Sequence, residues 1–262
     1  MRFKGAIFDV DGVLEYHGRA IPGAGETIAR LREMGVVLRF LTNSTLKSRA
    51  SCASQLERRG IRAAAGEVIT ASYAAAAYLR SLNPRSCWVM LEREGLSEFE
   101  GIPVDEANPE YIVVGDNRSR FDFEHLNQAL IFLAAGSKLI GMQSELVDTS
   151  MGALELNVGS WVGMLERASG VRAVYTGKPD AWAFELALES MKLGKTEVAM
   201  VGDKVSTDVR GAKDFGIASI LVTTGEYDPS ELAVHPSPDF VLGSVADVGA
   251  VFAGEKREAG GP

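Results

Sequence analysis

The sequence predicts an α/β protein, a doubly wound parallel sheet with a second α/β unit inserted into it. Three observations carry that expectation. Short apolar runs of strand length alternate with segments of helical period, as expected for strands buried on both faces under helices. Four polar motifs each follow such a run, and in open sheets of this kind ligands bind beyond the carboxyl ends of the strands. The long stretch between the second and third motifs alternates in the same way but carries no chemical motif of its own.

Taken in order, Gly5–Val10 is an apolar run ending in Asp9, and Ile28, Leu31 and Met34 share one helical face before Gly35. Val36–Leu41 is a second strand, and Ala50–Arg59 a helix stopped by Gly60. Ala71–Leu79, rich in Ala and Tyr, reads as a packed helix leading into the insert. Within the insert, Trp88–Leu91, Tyr111–Val114 and Leu139–Met142 read as strands, and Phe123–Ala135 and Trp161–Ser169 as helices. Val198–Val201, Val209–Phe215 and Ala218–Val222 then alternate strand, helix, strand, and Asp239–Leu242 with Val245–Phe252 repeat the unit. The expected division is a core of residues 1–72 and 173–254, an insert of 73–172 and a frayed tail of 255–262.

Composition narrows the class. The chain has 262 residues, 46% hydrophobic and 24% charged, the balance of an ordinary globular protein. A net charge of -8 argues against nucleic acid or an anionic membrane as the main partner. No apolar stretch approaches the roughly 20 residues of a membrane span, and Met1–Lys4 leads straight into a strand, so no leader is expected and the cytoplasm is the expected compartment. Cys52 and Cys87 are too few for a disulfide framework and read as buried structural thiols. His17, His125 and His235 show no metal-ligand spacing and read as surface or loop residues.

The motifs are Ile7–Gly12 with Asp9 and Asp11, Leu41–Ser44 with Thr42 and Asn43, Gly177–Pro179 with Lys178, and Val201–Asp203 followed by Asp208. Two carboxylates about 4 Å apart repel by roughly 4 kcal/mol at an effective dielectric of 20. Asp203 and Asp208 add to that unless a cation is present. An oxygen-only donor set favours Mg²⁺ over zinc. Lys178, the Thr42 hydroxyl and the backbone N–H groups near Asn43 and Val10 suit the non-bridging oxygens of a phosphoryl group, whose transfer depends on positioning and charge neutralisation. Ser44 and Lys204 are further candidate contacts.

Together, Asp9-Val10-Asp11-Gly12-Val13, Leu41-Thr42-Asn43-Ser44, Gly177-Lys178-Pro179 and Gly202–Asp208 resemble the four motifs of the haloacid dehalogenase-like (HAD) hydrolase superfamily, in order and over nearly the whole chain. The resemblance implies a HAD-like Rossmannoid core with Asp9 as a nucleophile that becomes phosphorylated. It implies that Asp11 protonates the leaving oxygen and then activates water, that Thr42 and Lys178 bind phosphate, and that Lys178 also restrains Asp9. It further implies Mg²⁺ held by Asp9, Asp203 and the backbone carbonyl of Asp11, with Asp208 supporting Lys178 and the metal's water shell. Gly12, which permits a sharp backbone turn, and Ser44 are read as supporting residues. An acid at Asp11 favours phosphatase over dehalogenase.

Spacing places the insert. Thr42 follows Asp9 by 33 positions, while Lys178 follows Thr42 by 136. The cap therefore lies between the second and third motifs, a C2-type cap similar to that of NagD-like and 4-nitrophenylphosphatase-like enzymes of subfamily IIA. Ile21–Ala24, Thr224-Gly225-Glu226 and Pro238-Asp239-Phe240 resemble that group too, and Phe123–Leu130 resembles the phospholysine phosphohistidine inorganic pyrophosphate phosphatase branch. Gly115–Arg118 and Gly141–Glu145 depart from the group's usual cap segments; Arg118, Arg120 and Glu145 are candidate substrate contacts of the cap, with exposed charge on a solvated face the favoured reading. The resemblance also implies a homodimer paired through the cap. The expected activity is Mg²⁺-dependent hydrolysis of small phosphomonoesters. Its alternatives are a pyrophosphate or phosphoamino-acid phosphatase, a phosphate-binding regulatory module without turnover, and a receiver-like signalling domain phosphorylated on Asp9.

Overall fold

The computed structural model describes residues 3–149 and 153–255. The tail expected over 255–262 therefore lies, beyond Glu255, outside the described residues. The chain divides into two compact units. One holds the residues up to Thr42, Cys52–Ile69 and everything from Lys178 onward, and the other holds Asn43–Ser51 and Thr70–Gly177.

The first unit is built on a six-stranded sheet in the order Phe240–Leu242, Ala218–Val222, Val198–Gly202, Gly5–Phe8, Val37–Thr42 and Val68–Thr70. Gly5–Phe8 is central and parallel to both neighbours, with Phe8 opposite Val201 on one side and Phe40 on the other. Alternate residues point to opposite faces of a strand. Ala6, Phe8, Leu38, Phe40, Val201, Ile220 and Val222 accordingly share one buried cluster with Ile28 and Leu31 of helix Ala24–Glu33, Leu56 of helix Arg49–Arg58, and Val251 and Phe252 of helix Val248–Ala253. Each Leu, Ile, Val or Phe among them contributes about 1.5–3 kcal/mol by leaving water. On the other face, helix Ala181–Met191 packs against Val37–Thr42, and its Phe184 stacks on Phe215 with ring centroids 5.7 Å apart.

The inserted unit carries its own sheet, wholly parallel, in the order Ala173–Tyr175, Lys138–Gly141, Tyr111–Val114 and Cys87–Met90. Cys87, Tyr111, Val113 and Ile140 pack with Ala75, Ala76 and Leu79 of helix Ala71–Ser81. Trp88, Met90, Ile112, Val114 and Leu139 pack with Phe132 and Leu133 of helix Phe123–Ala134 and with Val162 and Leu165 of helix Val158–Ser169. The helices start where side chains accept the unpaired backbone N–H groups of the first turn: Thr70 from Tyr73, Asp122 from His125 and Asn157 from Val158.

Several expected elements shift. The strand expected to reach Val10 ends at Phe8, because Val10 turns the chain by accepting from the N–H groups of Leu14 and Glu15. The helix expected from Val209 is preceded by a π-helical turn, Val205–Val209, and becomes α-helical only at Arg210. The segment Val245–Phe252 opens as a short 3₁₀ turn. Strands Val68–Thr70 and Ala173–Tyr175, and the hairpins Glu15–Tyr16 with Arg19–Ala20 and Val147–Asp148 with Glu155–Leu156, are too short to show a period in the sequence. Cys52 and Cys87 are free and buried. Among the described residues, no helix is long and apolar enough to cross a membrane.

Candidate active site

Asp9, Thr42 and Asp203 stand at the carboxyl ends of three adjacent strands because each follows, or closes, a buried apolar run. Asp9 remains tied to the sheet by its N–H, which donates to the Val201 carbonyl at 2.9 Å. Its Oδ1 accepts from the Val10 N–H at 2.8 Å and lies 2.8 Å from Lys178 Nζ. Lys178 Nζ is also 2.7 Å from Asp208 Oδ1. The Lys178-Pro179 bond is cis.

Asp208 lies in the π turn Val205–Val209 and is fully buried. Its Oδ2 accepts from the Lys204 N–H at 3.2 Å. Gly202 leaves the room for this, since a Cβ there would lie 2.2 Å from the Asp208 Cβ. Asp203 Oδ2 accepts the Glu226 N–H at 2.6 Å. Carboxylate oxygens of Asp9, Asp203 and Asp208 lie within 4.8 Å of one another. Asp11 is exposed, and its Oδ2 accepts from the Thr42 hydroxyl at 3.3 Å. Gly12 turns the chain with φ of 80°, and a Cβ on it would come within 2.0 Å of Asp203 Oδ2.

The electrostatics follow from burial. Desolvation, with Lys178 pulling the other way and Asp208 and Asp203 adding repulsion, lifts the Asp9 carboxyl well above the usual carboxylate range. Burial and then the charge of Asp208 push Asp203 up to about 7. Burial opposes the charge on Lys178, but Asp208 and Asp9 outweigh it and hold the ammonium above its ordinary range. Three clustered carboxylates balanced by one buried ammonium suit a hard divalent cation. The donor chemistry is all oxygen, and Asp203 Oδ2 occupies ground that a Cβ on Gly12 or Gly225 would fill.

Asp9, Asp11, Gly12, Thr42, Lys178, Asp203 and Asp208 thus come together in the first unit. Asn43 and Ser44 fall in the inserted unit, where Asn43 Nδ2 donates to Glu145 Oε2 at 3.2 Å and the Ser44 carbonyl accepts from Ala71. Lys204 Nζ lies 3.0 Å from Glu226 Oε2. Arg118, exposed, pairs with Asp116 and Glu155. Sequence reasoning assigned no task to Thr224 and Glu226. Thr224 donates its hydroxyl to the Gly12 carbonyl at 2.6 Å, beside the Glu226 contact to Asp203. The signal was there, a Thr-Gly-Glu triplet beyond a buried strand.

Comparison with known proteins gives the same picture. Residues 6–103 match the family described as haloacid dehalogenase-like hydrolase, and residues 175–248 match one described as HAD-hydrolase-like. The chain is 34% identical to the phospholysine phosphohistidine inorganic pyrophosphate phosphatase of Danio rerio, over 87% of this chain and 86% of that one. It is 28% identical to the ribonucleotide monophosphatase NagD of Escherichia coli, over 96% and 100%. Its fold superposes on the crystal structure of 4-nitrophenylphosphatase from Thermotoga maritima with a TM-score of 0.88, at 27% identity, covering 95% of this chain and 97% of that one.

Proposed function

The chain belongs to the haloacid dehalogenase-like hydrolases and is a phosphatase of their NagD-like branch, and we propose that it cleaves small phosphomonoesters through a phosphorylated Asp9 with Mg²⁺ as cofactor. The observation that carries this reading is the division of labour within Asp9. Its Oδ1 is held by Lys178 Nζ and the Val10 N–H, both at 2.8 Å, which supports attack by the other oxygen, Oδ2.

In the first step Asp9 Oδ2 bonds to phosphorus as the ester P–O bond breaks, and Asp11 gives its proton to the departing alkoxide. Thr42 and Lys178 hold the phosphoryl oxygens, and the Thr42 hydroxyl 3.3 Å from Asp11 Oδ2 keeps the acid beside them. In the second step Asp11 takes a proton from water, whose oxygen bonds to phosphorus and breaks the Asp9 ester, releasing phosphate. Asp9, Asp203 and the Asp11 carbonyl would hold the cation, with Asp208 beside them. When bound, it supplies charge neutralisation to the phosphoryl oxygens and to the clustered carboxylates.

The test is release of 4-nitrophenol from 4-nitrophenyl phosphate with and without MgCl₂, for the wild type and Asp9→Asn. Metal-stimulated turnover that Asp9→Asn lacks supports the reading. Equal turnover by the two proteins overturns the mechanism. The same assay on a panel of sugar phosphates, nucleotides, phosphoamino acids and pyrophosphate identifies the substrate class.

A further inference from the structure

We propose that Lys204 and Glu226 are positioning residues that set how tightly the site holds its divalent cation. This rests on the metal-dependent reading above. Two loops meet at the carboxyl end of the first unit's sheet, one after Val198–Gly202 and one after Ala218–Val222, and each grips a clustered carboxylate with a backbone N–H. Glu226 N donates to Asp203 Oδ2 at 2.6 Å, and Lys204 N donates to Asp208 Oδ2 at 3.2 Å. The side chains of the same two residues join to each other, Lys204 Nζ to Glu226 Oε2 at 3.0 Å. Both are largely shielded, at 24% and 18% exposure. One ion pair therefore completes a chain of contacts from Asp203 through both loops to Asp208, and from there through Lys178 to Asp9.

The second loop also touches the first motif. Thr224 donates its hydroxyl to the Gly12 carbonyl at 2.6 Å, and Gly225 sits so close that a Cβ on it would lie 2.4 Å from Gly12 Cα and 2.1 Å from Asp203 Oδ2. Shifting this loop would displace both Asp203 and the Asp11–Gly12 turn. Partners of metal-binding groups orient them, and losing one typically weakens metal affinity roughly 10–100-fold.

Two simpler roles make opposite forecasts. If Lys204 acted only through its charge, removing that cation would make the site more negative and tighten Mg²⁺ binding. If Lys204 touched substrate phosphate, its loss would raise the substrate KM and leave the metal dependence alone. As a positioning residue, its loss loosens Mg²⁺ binding in spite of the charge.

The experiment titrates MgCl₂ into the full chain and reads both the rise in melting temperature and the concentration giving half-maximal turnover at saturating substrate. For Lys204→Met and Glu226→Gln, both half-saturation values are expected to rise roughly 10-fold, with kcat at saturating metal within about two-fold of wild type. Lys204→Arg, which keeps the ion pair, is expected to restore them. Half-saturation values that stay the same or fall in Lys204→Met, or a change confined to the substrate KM, overturn the proposal. A wild type whose melting temperature and turnover ignore MgCl₂ overturns it together with the metal-dependent reading. Melting temperatures without metal show whether each variant folds, and if Lys204→Met does not, Lys204→Gln carries the decision.

Discussion

Lys178 and Asp208 form an ion pair 2.7 Å long in which neither side chain is more than 2% exposed, and the same ammonium lies 2.8 Å from Asp9. Removing one partner from a buried pair leaves an uncompensated charge, which typically costs about 3–5 kcal/mol. Lys178→Met and Asp208→Ala are each expected to lose stability on that scale in urea denaturation. Lys178→Met should also lose turnover, because it frees Asp9 Oδ1. A loss below about 1 kcal/mol, the range of exposed pairs, would show that the lysine is not buried as described.

Asp11→Asn removes the proton donor and leaves Asp9, Lys178 and the carboxylate cluster in place. General acid–base catalysis contributes about 10²–10⁴-fold. The loss should be smaller in the first step for 4-nitrophenyl phosphate, whose nitrophenolate leaves without help, than for an alkyl phosphate, whose alkoxide does not. Comparing kcat/KM for the two esters in the variant and the wild type checks this. Equal losses would assign Asp11 a structural role.

Both Asp9 and Asp203 titrate above the 3.8 of an ordinary aspartate, Asp203 near 7. The folded, metal-free protein therefore holds these protons more tightly than the unfolded chain does. That contribution to stability is complete below about pH 4 and is lost as the pH rises through about 7. A divalent cation competes with those protons and offsets the loss. The gain in melting temperature from MgCl₂ should therefore widen between about pH 5 and pH 8. A gain independent of pH would separate the cation from these carboxyls.

Cys87 is buried in a strand of the inserted sheet, and burial pushes its thiol up to about 11. The reactive thiolate is then scarce at neutral pH. The folded protein is expected to resist thiol-labelling reagents at Cys87 until it unfolds, while denatured protein labels at once, as counted by mass spectrometry. Fast labelling of Cys87 in the native protein would contradict its burial.

Much of this was legible along the chain because the informative pattern is local. A short apolar run ending in a carboxylate or hydroxyl is visible residue by residue, and so Asp9, Thr42 and Asp203 could be placed at strand ends before any contact was known. The family resemblance implies that Lys178 meets Asp9 and Asp208, whereas the spacing of the three residues does not by itself disclose that one ammonium bridges both carboxylates. The π turn that carries Asp208 is not legible along the chain, since helical period alone does not register one added residue. Thr224 and Glu226 went without a role because their partners, Gly12 and Asp203, are remote in sequence.

The amino-acid sequence by itself determined the fold class, the order of the sheet's main strands along the chain and the chemical inventory of the site. All three depend on hydrophobic periodicity and residue type, which are properties of short segments. Only the tertiary structure decided which oxygen of Asp9 is held, that Asn43–Ser51 belongs with the inserted unit, and that one ion pair ties the two loops behind Asp203 and Asp208. Those features arise where packing brings distant segments within hydrogen-bond reach, at distances of about 3 Å that no sequence interval encodes.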